Sequence, residues 1–547
     1  MQIFFFKSKI NIEKYKKVLV LSNSKSLSGE YQGYNNLIDY RKELDIIFTR
    51  YKKRFINYIA EIEKFQTDKK KWYATSISAH NNLQTDFYDK IVFLKLAEYF
   101  IKKNECDLIV TDDPIIFKLI KDNLSLPYKF KNKLYSSFHI YKYIIISFLR
   151  MIVGRLFFLF KILEIQRKWK NKLDYIEDSI YLYSWMEERC FNNKKFEDQY
   201  LSGVDSVRIK KEKSIFISYY TDPSLYHYWN QIDLKVNGLQ NYFNLMNLFK
   251  SILIFPYFKN TDKKFLEFNL KLLWKLEFYK ELKNNSFCYN LLEFYSWKYF
   301  FNKSSGIMIY PFENQSWEKV MLLANSVQKM KMIGYQHSSI GLNYLTYLST
   351  KKEMEDNKLP DVLVTNSEEN RKYLLKHFPG YSNIIDGGTK RYNKKSFQKN
   401  YKKSKKIIIG VFLPLIQSQA KELLFHINKN ASKTPYKFLI KSHPNMDLKG
   451  IKTGENIEHF KGSAIELYSV SNAIIYCTST AGSEAYSYGI PVFRFRGSFV
   501  DYKMGENAFQ PKIIDSILEI TQENLKNTNN KFLYSEFNYS VWENILN

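Results

Sequence analysis

The chain has 547 residues, of which 45% are hydrophobic and 17% aromatic, so it can bury a large core and is not an intrinsically disordered protein. Its 83 Lys and Arg residues outnumber its 55 Asp and Glu residues, for a formal net charge of +28. This excess predicts an anionic partner, such as phosphorylated substrates or an anionic lipid surface. We expect no nucleic-acid partner, because the sequence has no zinc-finger spacing and no aromatic RNA-binding signature.

The cysteines and the first residues indicate a compartment. The four cysteines lie far apart and form no Cys-x-x-Cys pair, which is typical of a reducing environment. The first 17 residues have no long apolar core and no small-residue cleavage site, so we predict no signal peptide. Together these features predict a cytoplasmic protein.

Apolar and polar runs alternate through the first half of the chain. The predicted strands cover residues 17–22, 107–112, 214–218 and 251–255, and the predicted helices cover residues 44–65, 89–103, 169–213 and 262–301. Strands that alternate with helices are typical of an α/β domain with parallel pairing. Asp112, at the end of one strand, and Asp222, after another, are outside candidates for a role in a cleft.

Residues 144–165 form the most apolar stretch of the chain. At about 100° per residue its polar and apolar side chains gather on opposite sides of a helix. The polar side holds Ser147, Arg150, Gly154, Lys161, Glu164 and Lys168, Arg155 borders the apolar side, and the apolar side holds Phe148, Ile152, Leu156 and Leu159. We interpret residues 140–170 as an amphipathic helix that lies in the interface of an anionic membrane.

Two other interpretations of this helix stay open. One is a buried or oligomer-forming helix. The other is a transmembrane helix, which the charges within the segment disfavour because a charge is costly in hydrocarbon.

The second half of the chain contains two series of strands. The first series covers residues 306–310, 332–335, 361–366 and 384–385, and its strands present Glu313 and His337 at their carboxyl ends. A lysine-rich stretch at residues 390–406 is a predicted linker, and an apolar strand at residues 407–414 opens a new domain. We therefore predict an N-terminal domain at residues 1–400 and a C-terminal domain at residues 401–547, with the last helix crossing back onto the first domain.

Two motifs in the C-terminal domain indicate a ligand site. A strand at residues 436–440 ends in Lys441, Ser442, His443 and Pro444, and a strand at residues 473–476 runs into the hydroxyls of Thr478, Ser479 and Thr480. A helix follows and carries Glu484. Hydroxyls at a helix N-terminus, outside the carboxyl ends of parallel strands, are suited to a phosphate. The alternative is an N-cap without a ligand.

These motifs resemble a known family. Lys-x-His-Pro at residues 441–444 and the Thr-Ser-Thr-Ala-Gly-Ser-Glu-Ala run that ends in Gly-Ile-Pro at residues 478–491 resemble the donor half of GT-B glycosyltransferases. They are most similar to His-Pro-motif transferases of CMP-activated sugars, such as Kdo and sialic acid, and to CDP-glycerol polymerases. Residues 310–318 and 334–338 resemble proteins of bacterial capsule and lipopolysaccharide biosynthesis. The resemblance covers about residues 300–500.

The resemblance implies an α/β fold of the GT-B type, in which two Rossmann-like domains face a cleft, and a metal-independent glycosyltransferase with no cofactor. The implied partners are a nucleotide-sugar, with a CMP-linked ulosonic acid first, a glycan or lipid-linked acceptor, and the inner face of the cytoplasmic membrane. Lys441, His443, Pro444 and the Thr478–Thr480 hydroxyls would bind the donor, and Glu484 would either bind a ribose hydroxyl or act as a cap.

The acceptor base is expected on the other wall of the cleft, because glycosyl transfer requires that the acceptor hydroxyl lose its proton. Glu313 is the first candidate and His337 the second. A surface glutamate and a structural histidine are the alternatives. Two other functions also stay open: a nucleotide-sugar 2-epimerase of the same architecture, and a non-catalytic protein of glycan assembly or export.

Overall fold

The computed structural model describes most of the chain. The described residues are 2–5, 11–21, 35–124, 129–131, 133–168, 178–185, 187–192, 195–196, 198–201, 203–217, 224–225, 228, 235–259, 261–326, 329–355, 359–392, 406–443, 454, 456–526 and 531–547. Two of the predicted site residues, Pro444 and Asp222, lie outside them, as does most of the predicted linker.

Three parallel sheets organise the described residues. The N-terminal sheet has the spatial order Val18–Leu21, Leu108–Thr111, Gln2–Phe5, Lys129–Lys131. The central sheet has the order Ile384–Asp386, Val362–Thr365, Met330–Gln336, Gly306–Pro311, Ser179–Ser184, Lys213–Ile217, Lys235–Gly238. The C-terminal sheet has the order Ile457–His459, Lys437–Lys441, Ile408–Phe412, Ala473–Tyr476, Val492–Phe495, Lys512–Ile514. The predicted α/β class is therefore confirmed, with the N-terminal sheet as an addition to the two expected sheets.

Helices connect and cover these strands, as parallel pairing requires. The α-helices cover Arg41–Glu63, Lys69–Tyr73, Phe87–Lys102, Pro114–Asn123, Lys133–Lys168, Leu245–Leu253, Lys271–Lys283, Asn285–Lys303, Ser316–Ala324, Lys351–Glu355, Glu368–His377, Gln417–Asn430, Ala464–Val470, Ala481–Ser487 and Tyr539–Leu546. Side chains cap several of them. Asp113 accepts from the N–H of Ile115 at 2.7 Å, and Ser367 accepts from the N–H of Asn370 at 3.2 Å.

Two predictions of secondary structure are wrong. The stretch 169–213, predicted as helical, contains the central-sheet strand Ser179–Ser184, whose six residues are all buried. Its isoleucine and leucine pack on one face of the sheet and its two tyrosines on the other, so both faces are covered and the pattern does not alternate. Residues 251–255, predicted as a strand, include the end of the helix Leu245–Leu253.

The long helix, Lys133–Lys168, lies along the protein with one face packed and one face exposed. The predicted membrane-facing residues Phe148, Ile152 and Leu156 are 49%, 44% and 53% exposed. Leu159 is different, because it is half-buried and packs against the main core. By length and composition alone the segment Ser137–Arg167 is long and apolar enough to cross a membrane.

The packed face of the long helix contains two buried polar residues, although the periodicity of the sequence does not predict polar residues there. Ser147, predicted on the polar side, is fully buried, and Arg155 is only 6% exposed. The Arg155 guanidinium donates to the backbone carbonyls of Ile252 and Ile254 and lies 4.6 Å from the centre of the Phe255 ring. These carbonyls and the ring stabilise the buried guanidinium in part, at a position where periodicity predicts an apolar residue.

The central and C-terminal sheets face each other at a cleft. Residues that follow a central-sheet strand bond to the C-terminal domain: the Asn343 side chain donates to the Asp501 carbonyl at 2.9 Å, and the Gly505 N–H donates to the Ile340 carbonyl at 2.8 Å. The carboxyl ends of the parallel strands of both sheets therefore open toward the same space.

The last residues of the chain pack on the central sheet. The Trp542 indole N–H donates to the Gly387 carbonyl at 3.2 Å, and the ring lies 5.5 Å from that of Tyr335. Gly388 has φ +66°, and a Cβ there would lie 2.0 Å from the carbonyl oxygen of Glu536. A glycine is therefore required where the returning chain passes the central sheet.

Candidate functional site

A short loop at the carboxyl end of the central sheet holds Glu313 in place. The Glu318 carboxylate accepts hydrogen bonds from the backbone N–H groups of Glu313 and Gln315, each at 2.9 Å. Asn314 has a left-handed backbone with φ 57°, and its side chain donates to the Thr346 carbonyl at 2.7 Å. The loop is thus fixed from two directions, which is how a catalytic group is held in one orientation.

The two predicted candidates for the base lie next to each other. Glu313 Oε1 is 3.8 Å from His337 Nε2. The His337 side chain is 5% exposed and its ring packs edge-on against Tyr200 at 5.4 Å, whereas the Glu313 side chain is 29% exposed. Burial raises the pKa of Glu313 above its ordinary value, although the Gln315 amide donates to it at 3.4 Å. A carboxylate whose pKa is raised toward neutral is a better general base.

A cavity of about 360 Å³ opens beside Glu313. Its other lining residues include Trp185, Trp317, Tyr344 and Asn290. The Trp185 and Trp317 rings are 5.4 Å apart and nearly perpendicular. Aromatic faces with a few amide groups are suited to a ring-shaped, hydroxyl-bearing ligand, because the faces cover its apolar side and the amides bond its hydroxyls.

The helix Asn285–Lys303 contacts both this cavity and the long helix. Ser286 and Asn290 line the cavity, while Tyr289 of the same helix packs edge-on against Phe158 of the long helix at 4.6 Å. Because residues three and four apart lie on neighbouring sides of a helix, the cavity and the long helix are close to the same part of this helix.

The hydroxyl cluster lies at the carboxyl end of the C-terminal sheet, as predicted from its sequence pattern. Thr478 donates to the Gln419 side chain at 3.0 Å, and Ser479 accepts from the backbone N–H two residues on at 3.2 Å. Thr480 donates to Glu484 at 3.3 Å. All three hydroxyl residues are half-buried, so they line the cleft without being enclosed by the protein.

Glu484 is held on the same wall. Its second carboxylate oxygen accepts from the Tyr468 hydroxyl at 3.0 Å. The helix that carries it, Ala481–Ser487, is only seven residues long. Because the dipole of so short a helix is small, the hydroxyls rather than the helix terminus are the groups suited to an anion here.

The Lys-x-His-Pro motif leaves the same edge of the sheet. Its strand, Lys437–Lys441, and the strand Ala473–Tyr476 both pair with Ile408–Phe412, so the two motifs are separated by one strand. His443 is half-buried. The Lys441 ammonium donates to the Gly462 carbonyl, which fixes its direction.

A hydrogen-bonded cluster joins the two walls. Ser339 Oγ lies 2.8 Å from Ser483 Oγ, and the Tyr534 hydroxyl lies 3.0 Å and 3.1 Å from these two oxygens. Ser339 is two residues from His337, and Ser483 is next to Glu484. The structure therefore brings the central-sheet and C-terminal candidates to one cleft.

Arg391 lies in the stretch that the sequence predicts as a linker. The structure places it at the cleft. The residue as a whole is exposed, and its guanidinium carbon lies 5.2 Å from the centre of the Tyr392 ring. Tyr392 and Glu484, with a smaller effect of Tyr200, raise the pKa of Arg391. Since Tyr200 packs against His337, Arg391 lies between the two walls. Its position after the last central-sheet strand is the signal that could have identified it.

The exposed apolar side chains of two neighbouring helices form one surface, which we call the apolar patch. The long helix and the helix Leu245–Leu253 are in contact, and Arg155 joins them through the backbone that follows the shorter helix. The apolar patch consists of Phe138, Tyr141, Ile145, Phe148, Leu149, Ile152, Val153, Leu156, Phe157, Phe160, Leu245, Met246, Phe249, Leu253, Phe255 and Tyr257. Lys142, Arg150, Arg167 and Lys250 are exposed on the same helices, so the surroundings are basic.

Asp112 lies away from this cleft. It follows the N-terminal-sheet strand Leu108–Thr111 and lines a separate cavity. The structure therefore places Asp112 in a different site from Glu313 and His337.

No protein-family profile and no curated protein matches the chain. Solved structures show similarity at low identity. UDP-GlcNAc 2-epimerase from Neisseria meningitidis bound to UDP-GlcNAc is 14% identical with a TM-score of 0.39, covering 66% of this chain and 97% of that chain. Acinetobacter baumannii MurG is 9% identical with a TM-score of 0.35, covering 64% and 89%. The calicheamicin glycosyltransferase CalG4 is 9% identical with a TM-score of 0.34, covering 62% and 86%. At these values we draw no conclusion about activity from them.

Proposed function

We propose that this chain is a GT-B glycosyltransferase that moves a sugar from a nucleotide donor to a surface polysaccharide or lipid-linked glycan. The observation that carries the proposal is the pairing of Glu313, beside its own aromatic-lined cavity, with a hydroxyl-lined wall on the other side of one cleft. A transferase binds a donor and an acceptor together, so its two binding sites must adjoin where the sugar is transferred.

The C-terminal wall would bind the donor. Thr478, Ser479 and Thr480 offer hydroxyls to the phosphate, His443 lies on the same edge of the sheet, and Arg391 supplies a full positive charge. The phosphate leaving group gains negative charge as the glycosidic bond breaks, and fixed donors and cations in the cleft stabilise that charge. In this proposal no metal ion is needed.

The central wall would activate the acceptor. Glu313 takes the proton from the acceptor hydroxyl as the new bond forms, and the hydrogen bonds that fix its loop keep it in position. His337 Nε2 lies 3.8 Å from this carboxylate and is the second candidate for the base. A positioned general base typically contributes about 10²- to 10⁴-fold to the rate.

The donor sugar is proposed from the resemblance of the His-Pro and Ser/Thr motifs. A CMP-linked ulosonic acid, such as Kdo or a sialic-acid-like sugar, comes first. Its carboxylate adds a second negative charge next to the phosphate, which fits the positive charge of Arg391.

The apolar patch favours a lipid-linked acceptor at the inner face of the cytoplasmic membrane. Large contiguous apolar surfaces are rare on soluble monomers and mark sites of interaction. Exposed cations beside aromatic and aliphatic side chains suit the interface of an anionic bilayer. One helix, Asn285–Lys303, contacts both the long helix and the cavity beside Glu313, which would bring a lipid-linked glycan within reach of the base.

The same cavity favours a transferase over the epimerase alternative, because an epimerase acts on one bound nucleotide-sugar and needs no acceptor site. It also favours an enzyme over a non-catalytic assembly protein, because it opens a space of substrate size directly beside the Glu313 carboxyl.

A thermal-shift series tests the proposal. The purified protein is heated with CMP, CDP, UDP, GDP or ADP, because a ligand that binds the native state raises the melting temperature. We expect stabilisation by CMP that is lost in Ser479→Ala. Stabilisation by CDP or UDP instead would contradict the CMP donor, and no response to any nucleotide would contradict the transferase.

A further inference from the structure

A second cavity, of about 350 Å³, lies at the carboxyl end of the N-terminal sheet. Its charged lining residues are Asp86, Lys90, Asp112, Asp113, Glu277 and Lys280. Open parallel sheets bind ligands outside the carboxyl ends of their strands. The cavity is distinct from the one beside Glu313, although the segment that contains Asn81 and Asp86 contributes to both.

The acidic residues of this cavity outnumber its two lysines. Lys90 pairs with Asp86, and Lys280 Nζ lies 3.0 Å from the other oxygen of the same carboxylate. Asp113 lies 4.0 Å from Lys90 and caps the next helix. Because three aspartates face two lysines, the cavity has no excess positive charge for a phosphate.

Glu277 leaves one polar atom without a partner. Only 3% of this residue is exposed, and its Oε2 accepts from the Thr85 hydroxyl at 2.8 Å. Its Oε1 is buried and has no hydrogen-bond partner among the described residues. Burial raises the pKa of Glu277, which favours the protonated acid. A buried polar atom without a partner is costly unless a ligand or water bonds to it.

Apart from Tyr143, the rest of the lining is apolar. It includes Ile115, Leu273, Leu276 and, from the long helix, Ile140. An apolar floor with a few fixed donors and acceptors around it is suited to a ring that has apolar faces and hydroxyls at its edge. A sugar hydroxyl both donates and accepts, so it can bond carboxylates, ammonium groups and a protonated acid alike.

We propose that this cavity is a second saccharide-binding site that takes an uncharged sugar unit of the acceptor glycan. The proposal rests on the proposed function, because a glycan that reaches Glu313 along the shared segment would place another of its units here. The site holds the acceptor and takes no part in the chemistry.

The test is binding of the purified full-length protein to an array of bacterial surface oligosaccharides. Ile115→Trp fills the cavity from its half-buried wall, and Asp112→Asn removes a carboxylate with little change in shape. Asp122→Asn, at the other end of the same helix and exposed, is the matched control. We expect binding at least tenfold weaker in both cavity variants and unchanged in the control.

Unchanged binding in Ile115→Trp and Asp112→Asn, with wild-type melting temperatures, would overturn the second site. So would the absence of binding to any oligosaccharide on the array. Glu313→Gln separates this outcome from failure of the proposed function, because it removes the base and leaves this cavity intact. Binding that survives Glu313→Gln and is lost in Ile115→Trp supports the site even where turnover is absent.

Discussion

The two walls of the cleft differ in how their polar groups are satisfied. On the central wall, Glu318 and Asn314 fix the loop around Glu313 through hydrogen bonds of 2.7–2.9 Å. On the C-terminal wall, Thr478, Ser479 and Thr480 make single bonds of 3.0–3.3 Å and stay half-buried. The loop around Glu313 is therefore held by the protein itself, while the three hydroxyls keep bonding capacity, as the proposed roles of the two walls require.

Glu313→Gln changes the central-wall residue for which we expect the largest effect. The amide keeps the shape of the loop but cannot take a proton, so we expect transfer to fall about 10²- to 10⁴-fold while nucleotide binding is retained. Initial rates and nucleotide thermal shifts on the same preparation measure both effects.

Glu369→Gln is the matched control, because that carboxylate pairs with Lys531 on the surface at 2.8 Å. We expect wild-type turnover from it. Loss of nucleotide binding together with turnover in Glu313→Gln would show that Glu313 supports the structure rather than the chemistry.

Ser479→Ala and His443→Ala test the opposite wall. Each removes a group that we propose faces the donor phosphate, so turnover should fall by about two orders of magnitude, as for loss of one donor to a developing oxyanion. Melting temperatures without nucleotide should stay near that of the wild type. Near-normal rates in both variants would refute the donor site.

Arg391→Gln tests whether the positive charge between the two walls contributes to donor binding. A hydrogen bond to a charged group contributes about 1.5–3 kcal/mol, so we expect the donor KM to rise about tenfold or more. Arg371→Gln is the control, because that guanidinium pairs with Glu368 at 3.0 Å on a surface helix. Equal changes of the donor KM in Arg391→Gln and Arg371→Gln would show that Arg391 does not bind the donor.

The apolar patch is tested by a double substitution, Phe157→Ser with Phe249→Ser, which changes one exposed residue on each helix. We expect at least tenfold less protein to sediment with vesicles of phosphatidylglycerol and phosphatidylethanolamine, because burial of a phenylalanine contributes about 1.5–3 kcal/mol. Leu518→Ser, which alters an exposed leucine far along the chain at 48% exposure, is the control. Equal sedimentation of all three proteins would contradict membrane binding.

The smallest expected effect concerns stability and pH. Glu293 is fully buried, and burial raises its pKa from 4.5 to about 8. Between these values the folded state keeps a proton that the unfolded state has lost, so the free energy of unfolding falls as pH rises, by at most about 1.4 kcal/mol per pH unit for this group. Below pH 4.5 both states hold the proton and the contribution is constant.

Glu293→Gln keeps the hydrogen bond from the Tyr183 hydroxyl, which is 3.2 Å long. We expect its melting temperature to fall a few degrees less than that of the wild type between about pH 5.5 and about pH 8. A fall as large as that of the wild type would show that this carboxyl does not titrate as proposed.

The C-terminal motifs can be predicted from the sequence because each lies within one short stretch of the chain. A short apolar strand followed by hydroxyls, or by Lys441 and His443, is visible within ten residues and needs no partner to interpret. Glu313 was accessible for the same reason. Arg391 was not, because its place in the cleft depends on Glu484, nearly a hundred residues later.

Burial by distant elements explains the other differences. The faces of the long helix depend on which neighbours cover it, and contacts with the backbone after residue 251 bury Arg155. Leu159 lies at the border between the two faces, where periodicity alone does not decide. The sequence does not predict the helix Leu245–Leu253, because its apolar run is too short to distinguish from a strand.

The measurement that tests the central claim most directly is transfer of a labelled sugar. The protein is incubated with radiolabelled CMP-N-acetylneuraminate, CMP-Kdo or UDP-GlcNAc and with a lipid extract of bacterial membranes, and the label is followed into the lipid fraction. We predict transfer from a CMP-linked donor by the wild type, and transfer about 10²- to 10⁴-fold slower by Glu313→Gln. Absence of label from the lipid fraction and from polysaccharide with every donor, in protein that binds nucleotide, would contradict the assignment as a glycosyltransferase.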